Sequence, residues 1–169
     1  MTDNIILRNA EPGDLYAIRE LNDLAFGGPD EGRIVETLMI EDESLLSLVA
    51  ATPNGRIIGH IQFFPIDVIN TAEAARFAGL GPMSVHPEHQ ESGIGSALIN
   101  NGLAELKTIG IQKVFVLGHL EYYPRFGFSH DETAGFAAAW GGPHFMAIRL
   151  NAGGPAFGEL VYPSAFFET

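Results

Sequence analysis

The chain has 169 residues, 46% hydrophobic and 18% charged, a length and balance suited to one domain, residues 1–169, around one core. It has no cysteine, which excludes disulfides, thiolate zinc sites and an acyl-cysteine intermediate. Its formal net charge of −12 sets nucleic acid aside as a partner, and the sign suits small cationic amines as well as plain solubility.

The opening residues, Met1 to Ala10, lack a basic region followed by an apolar run, and no apolar stretch approaches the roughly 20 residues that span a bilayer. A cytoplasmic chain with no membrane partner is expected. Ile5 to Leu7 reads as a strand, and Glu11-Pro12-Gly13-Asp14 as a turn whose Asp14 caps a helix. Ala17, Ile18, Leu21, Leu24 and Ala25 recur at helical spacing until Gly27-Gly28-Pro29 stops them. A second helix, Glu31 to Ile40, turns Ile34, Val35, Leu38 and Met39 inward. Leu45 to Ala51 is a strand, Pro53-Asn54-Gly55 a turn, and Arg56 to Ile69 a longer strand with Asn70 to Glu73 as its turn.

Arg76 to Val85 is the next strand, and its Gly79, Gly81 and Pro82 suit a bulge or a close backbone approach. Gly93 to Ile109 is a helix with Gly95, Leu98, Ile99, Gly102, Leu103 and Leu106 on one face and Gly110 as its stop. Lys113 to Leu117 is a buried-type strand, followed by a helical turn around Glu121 to Arg125, a strand from Phe145 to Leu150 and another near Glu159 to Val161. The expected fold class is α/β: a mixed central sheet of about six to seven strands with about four helices.

The sharpest local signal is Val85-His86-Pro87-Glu88-His89-Gln90-Glu91-Ser92-Gly93-Ile94-Gly95-Ser96. A strand ends, a glycine-bearing loop follows and a helix opens, so backbone N–H groups converge at the positive end of a helix dipole. A pyrophosphate fits there without basic side chains; a tight strand-to-helix turn is the plainer reading. The dinucleotide pattern lacks its third glycine, and no Gly-Lys-Ser/Thr occurs. His86 and His89 near Glu88 lack a further clustered ligand, so no metal is expected.

Gln90-x-x-Gly93-x-Gly95, preceded by Val85-x-Pro87, resembles the acyl-CoA-binding motif of GNAT acetyltransferases, and the order of elements is similar over nearly the whole chain. The resemblance implies a GNAT-like fold with acetyl-CoA as co-substrate. It puts Met83 and Val85 against pantetheine through their backbone, and Gln90, Glu91, Ser92, Gly93, Ile94, Gly95 and Ser96 around the pyrophosphate. Many members carry a basic residue where this chain has Glu91 or Ser92.

Downstream, Gly118-His119-Leu120-Glu121-Tyr122-Tyr123-Pro124-Arg125-Phe126-Gly127-Phe128 is similar to a second family motif, in which the tyrosine matching Tyr123 protonates the departing CoA thiolate. Tyr122 is the runner-up for that role, and Arg125 suits a CoA phosphate or a substrate carboxylate. A backbone N–H in the strand from Gly79 to Val85 is the candidate oxyanion donor. His119, Glu121 and His60 are candidate bases, His119 standing one helical turn before Tyr123, and Glu36 is a candidate for the substrate mouth. Phe157, Tyr162, Phe166 and Phe167 could cover the substrate, meet a second subunit of a homodimer or simply pack. The expected activity is acetyl transfer to a primary amine of a small molecule, peptide or protein. A CoA-binding module without turnover and an enzyme for another acyl-CoA are the alternatives.

Overall fold

The computed structural model describes residues 4–167. In chain order it holds β1 (Ile6–Asn9), α1 (Leu15–Phe26), α2 (Asp30–Ile40), β2 (Leu46–Ala51), β3 (Ile57–Ile69), β4 (Phe77–Val85), α3 (Ile94–Thr108), β5 (Lys113–Leu117), β6 (Phe136–Ala137), β7 (Phe145–Arg149) and β8 (Gly158–Val161). The strands form a mixed sheet ordered β1-β2-β3-β4-β5-β7, with β8 beside β3 and β6 beside β8. The described residues divide into two compact units: residues 4–64, 81–102 and 164–167, and residues 65–80 and 103–163.

In the first unit β1, β2 and the start of β3 pair antiparallel, with Leu7 opposite Ala50 and Val49 opposite His60. Ile18 of α1, Val35 of α2 and Val49 of β2 form one fully buried cluster, backed by Ala10, Leu15, Met39 and Ile57. The start of α3 packs on β3 by glycine contact: a Cβ at Gly59 would meet Ile94 Cγ2 at 2.8 Å, and one at Gly102 would meet the Phe63 ring at 2.4 Å. In the second unit β4 runs parallel to β5, and β5 antiparallel to β7. Phe77, Phe115, Phe136 and Phe145 pack ring against ring there, with Phe115–Phe145 stacked at 5.6 Å.

Four local expectations change. Asp14 makes no side-chain cap on α1; its carboxylate accepts from the Glu11 N–H and pairs with Arg8 at 2.7 Å. Leu24 is exposed, because the inward stripe of α1 is Ile18, Leu21 and Asn22. The fourth helix is a 3-10 turn, Tyr123–Phe126, with proline in its first turn and Gly127 at a φ of +102° closing it. The two-residue β6 adds an eighth strand too short to leave an alternation in the sequence.

Candidate functional site

The loop before α3 belongs to the first unit. Its Val85 carbonyl accepts from Gln90 Nε2 at 3.1 Å, and the His86 N–H reaches the Ile58 carbonyl at 2.8 Å, so the end of β4 is fixed on β3. Pro87–His89 is a 3-10 turn capped by His86 Nδ1, which accepts from the Glu88 N–H at 3.1 Å. Ser92 donates its hydroxyl to the His89 carbonyl. The chain then passes Glu91 at a φ of +62° and Gly93 at +86° and turns into the helix. The first helical bond runs from the Ala97 N–H to the Gly93 carbonyl, 3.0 Å. The N–H groups of Ile94, Gly95 and Ser96 therefore have no acceptor within the helix and point out of its positive end.

Ile94 is buried against Gly59, so it supplies its N–H and not its side chain. Glu91 is exposed. One contributor is missing from a linear reading of the motif. Arg56, at the start of the β2–β3 return, places Nη2 3.1 Å from His86 Nε2 and 4.0 Å from Glu88. The loop itself carries no lysine or arginine; the cation arrives from 30 residues upstream because antiparallel pairing returns β3 beside β4. The signal for it was Arg56 standing at the first position of the expected long strand, Arg56 to Ile69.

β4 runs from Phe77 to Val85, but its backbone is irregular at Gly81, which has a φ of +150° and a cis bond to Pro82, and its partner changes at the same point. Its register with β5 runs from Phe77 opposite Lys113 to Leu80 opposite Val116 and stops there. Beyond Leu80 the strand carries peptide groups with no β5 partner, and Met83 and Val85 are half-buried along this stretch. A pantetheine arm, an extended chain with two amides, is matched by such an edge.

In the second unit, β5 ends at Leu117 and the chain makes a tight turn: the Tyr122 and Tyr123 N–H groups both reach the His119 carbonyl at 3.2 Å. Tyr123 is 8% exposed and stands edge-on to Tyr122 and Phe128. Its ring lies over Gly118, where a Cβ would meet Tyr123 Cε2 at 2.3 Å. Burial, with a smaller contribution from Tyr122, pushes the Tyr123 phenol up to about 12. His119 and Glu121 are exposed on the same turn. Arg125 is also exposed; its Nε donates to the Glu121 carbonyl at 3.0 Å and its guanidinium stands 5.6 Å from the Tyr122 ring.

His60 is a different kind of histidine. It is fully buried on β3, bonded through Nε2 to Ser47 Oγ at 2.9 Å, and desolvation pulls it down to about 3. A group so placed stays neutral and does not exchange protons with solvent. Glu36 holds Arg19 at 3.0 Å beside a cavity of about 430 Å³ that also touches Tyr16, Glu20 and Asp23. In the aromatic tail Phe166 packs on Phe64 at 4.4 Å and Tyr162 on Trp140 at 4.5 Å, whereas Phe157 and Phe167 are exposed. Among the described residues no group of three His, Asp or Glu side chains assembles that could hold a metal ion.

A model of the Acetyltransferase (GNAT) family matches residues 15–128. The chain is 40% identical over 121 residues to the uncharacterized N-acetyltransferase YjhQ of Escherichia coli K12, a stretch covering 70% of this chain and 66%, just under two thirds, of that relative. It is 29% identical over 148 residues to the uncharacterized N-acetyltransferase YhbS of the same strain, covering 86% and 87%. Among solved structures, E. coli YhbS in complex with CoA superposes with a TM-score of 0.88 at 27% identity, covering 98% of this chain and 93% of that one. A GNAT family acetyltransferase of Brucella melitensis in complex with acetyl-CoA gives 0.80 at 34% identity, covering 96% and 97%.

Proposed function

Because the chain belongs to the GNAT family of acetyltransferases, we propose that it moves an acetyl group from acetyl-CoA to a primary amine by direct attack. The observation that carries this reading is the loop entering α3, where three N–H groups without helical acceptors follow a strand whose parallel pairing with β5 stops at Leu80. Gln90 to Ser96 hold the pyrophosphate by main-chain donors. Met83 and Val85 hold the pantetheine by strand-like pairing. Arg56 supports the loop with the positive charge that Glu91 and Ser92 do not supply. The CoA and acetyl-CoA bound to the two similar structures agree with this donor.

In the reaction the amine nitrogen attacks the thioester carbonyl carbon, the oxygen gains the charge, and the C–S bond then breaks. The oxyanion is met by a main-chain N–H of β4 beyond Leu80. Tyr123 meets the departing sulfur. A phenol near 12 gives its proton to an ordinary thiolate, near ~8.5, only uphill. Its role is therefore a hydrogen bond to the developing thiolate, with the final proton arriving from solvent. The ammonium proton leaves to water through exposed His119 or Glu121; buried His60 takes no part.

The test is calorimetry with CoA and acetyl-CoA, followed by thiol release against a panel of primary amines. Tight CoA binding with turnover on at least one amine is expected. No heat with any CoA species removes the reading. Binding without turnover on every amine leaves the CoA-binding module, and turnover only with a longer acyl-CoA moves the donor.

A further inference from the structure

A second cavity of the first unit, about 300 Å³, opens between the end of β1 and the start of β2, lined among others by Ala10, Met39, Ser44, Leu46 and Ser47. Beneath it, β3 directs two polar side chains, His60 and Gln62, into the core, both fully buried. Each reaches one lining serine: Gln62 Nε2 stands 2.8 Å from Ser44 Oγ, and His60 Nε2 2.9 Å from Ser47 Oγ. Their other polar atoms, Gln62 Oε1 and His60 Nδ1, have no partner. Burying two such groups is costly where aliphatic side chains would pack, and a local rule broken twice at one spot is a mark of function.

The hydrogen-bond directions settle what the cavity offers. Gln62 Nε2 also faces the Phe63 carbonyl at 2.9 Å, so this end of the amide is the donor. Ser44 Oγ is thus an acceptor from below, and its own proton is free for the cavity. For neutral His60, a buried lone pair left unpaired costs less than a buried N–H left unpaired. In the tautomer with the proton on Nε2, His60 donates to Ser47, whose hydroxyl proton is likewise left to point outward. Both serines can donate into the cavity, Asn9 also lines it with an amide that donates and accepts, and no lining residue is charged.

We propose that this cavity binds a small neutral molecule through a carbonyl oxygen held by Ser44 and Ser47, with a short apolar body against Ala10, Met39 and Leu46. The Ser47–His60 pair resembles a nucleophile with its base, but no carboxylate orients His60 and burial keeps it unprotonated, so the pair is a hydrogen-bonding device. The site stands apart from the CoA loop in sequence and does not rest on acetyl transfer.

Titration of the ¹⁵N-labelled full chain with butanamide, butanoate and n-butylammonium tests it. Butanamide is expected to shift the amide signals of Ser44 to Ser47 saturably at roughly millimolar concentration, the range for so small a ligand. Butylammonium, which brings no acceptor for the two serine hydroxyls, binds more weakly, and so does butanoate for lack of a cation. Ser44→Ala with Ser47→Ala lowers butanamide affinity about tenfold, and Ser47→Thr, which keeps the hydroxyl, retains most of it. The proposal is overturned if butanamide does not saturate these signals in the unaltered protein. Equal response to butylammonium, or unchanged affinity in the folded double variant, also overturns it.

Discussion

Tyr123 and His60 carry opposite lessons about buried ionisable side chains. Both are desolvated, one held in its neutral acid form and the other in its neutral base form. Replacing Tyr123 by Phe keeps the ring over Gly118 and removes the hydroxyl alone. Turnover is expected to fall about ten- to a hundredfold, with acetyl-CoA affinity by calorimetry within twofold; an unchanged rate assigns the sulfur's partner elsewhere. Adding a methyl at Gly118 should act on the same step, because it strikes the Tyr123 ring at 2.3 Å. His60 sets a stability window. Its folded-state value, about 3, lies below the ordinary 6.5, so the unfolded chain takes up a proton first as pH falls. The contribution is complete above about 6.5 and drains away towards 3. Denaturant melts between pH 7 and 4 should show this loss, and His60→Phe should flatten it; an equal slope in the variant transfers the linkage to carboxylates.

At the scale of elements, the loop and α3 make a unit whose parts are separable by mutation. Gly93 has a φ of +86°, where a β-branched side chain is strained, and it is the last residue before the free N–H groups. Gly93→Val is expected to abolish measurable CoA heat while far-ultraviolet circular dichroism stays close to that of the parent. Gly102→Val, by contrast, drives a side chain into the Phe63 ring further along the same helix and should cost about 1–3 kcal/mol of stability, read from denaturant midpoints. Most of this helix was legible in the sequence: of the expected face Leu98, Ile99, Gly102, Leu103 and Leu106 are buried and Gly95 half-buried, while Ile94, also buried, was not placed on it. The long β3 and the buried β5 were legible for the same reason, continuous apolar runs bounded by turns. Pairing was not. That β5 leaves β4 at Leu80, and that Arg56 returns beside His86, depend on which strand neighbours which, and one strand's pattern carries no record of its neighbour. The burial of His60 was hidden likewise, since a histidine flanked by Gly59 and Ile61 reads alike on either face of a strand.

The whole molecule adds a field that no single residue supplies. With a net charge of −12, the long-range potential repels a CoA polyanion and attracts an alkylammonium, while the main-chain donors at α3 act only at contact. The two proposed substrates should therefore respond to salt in opposite directions. Between about 10 and 150 mM salt the screening length shrinks from roughly 30 to 8 Å, which removes most of the field at encounter distance and leaves bonded contacts intact. For a cationic amine, kcat/KM is expected to fall by roughly threefold or more across that range. For acetyl-CoA at saturating amine it should rise or stay level, because screening eases the approach of like charge. A fall of both together would mean that local positive charge around Arg56 governs CoA capture, and the acidity would then concern solubility alone. Repeating the series with Arg56→Gln separates the cases: the acetyl-CoA slope should become more positive once the Arg56 charge beside the loop is gone, and the amine slope should not move.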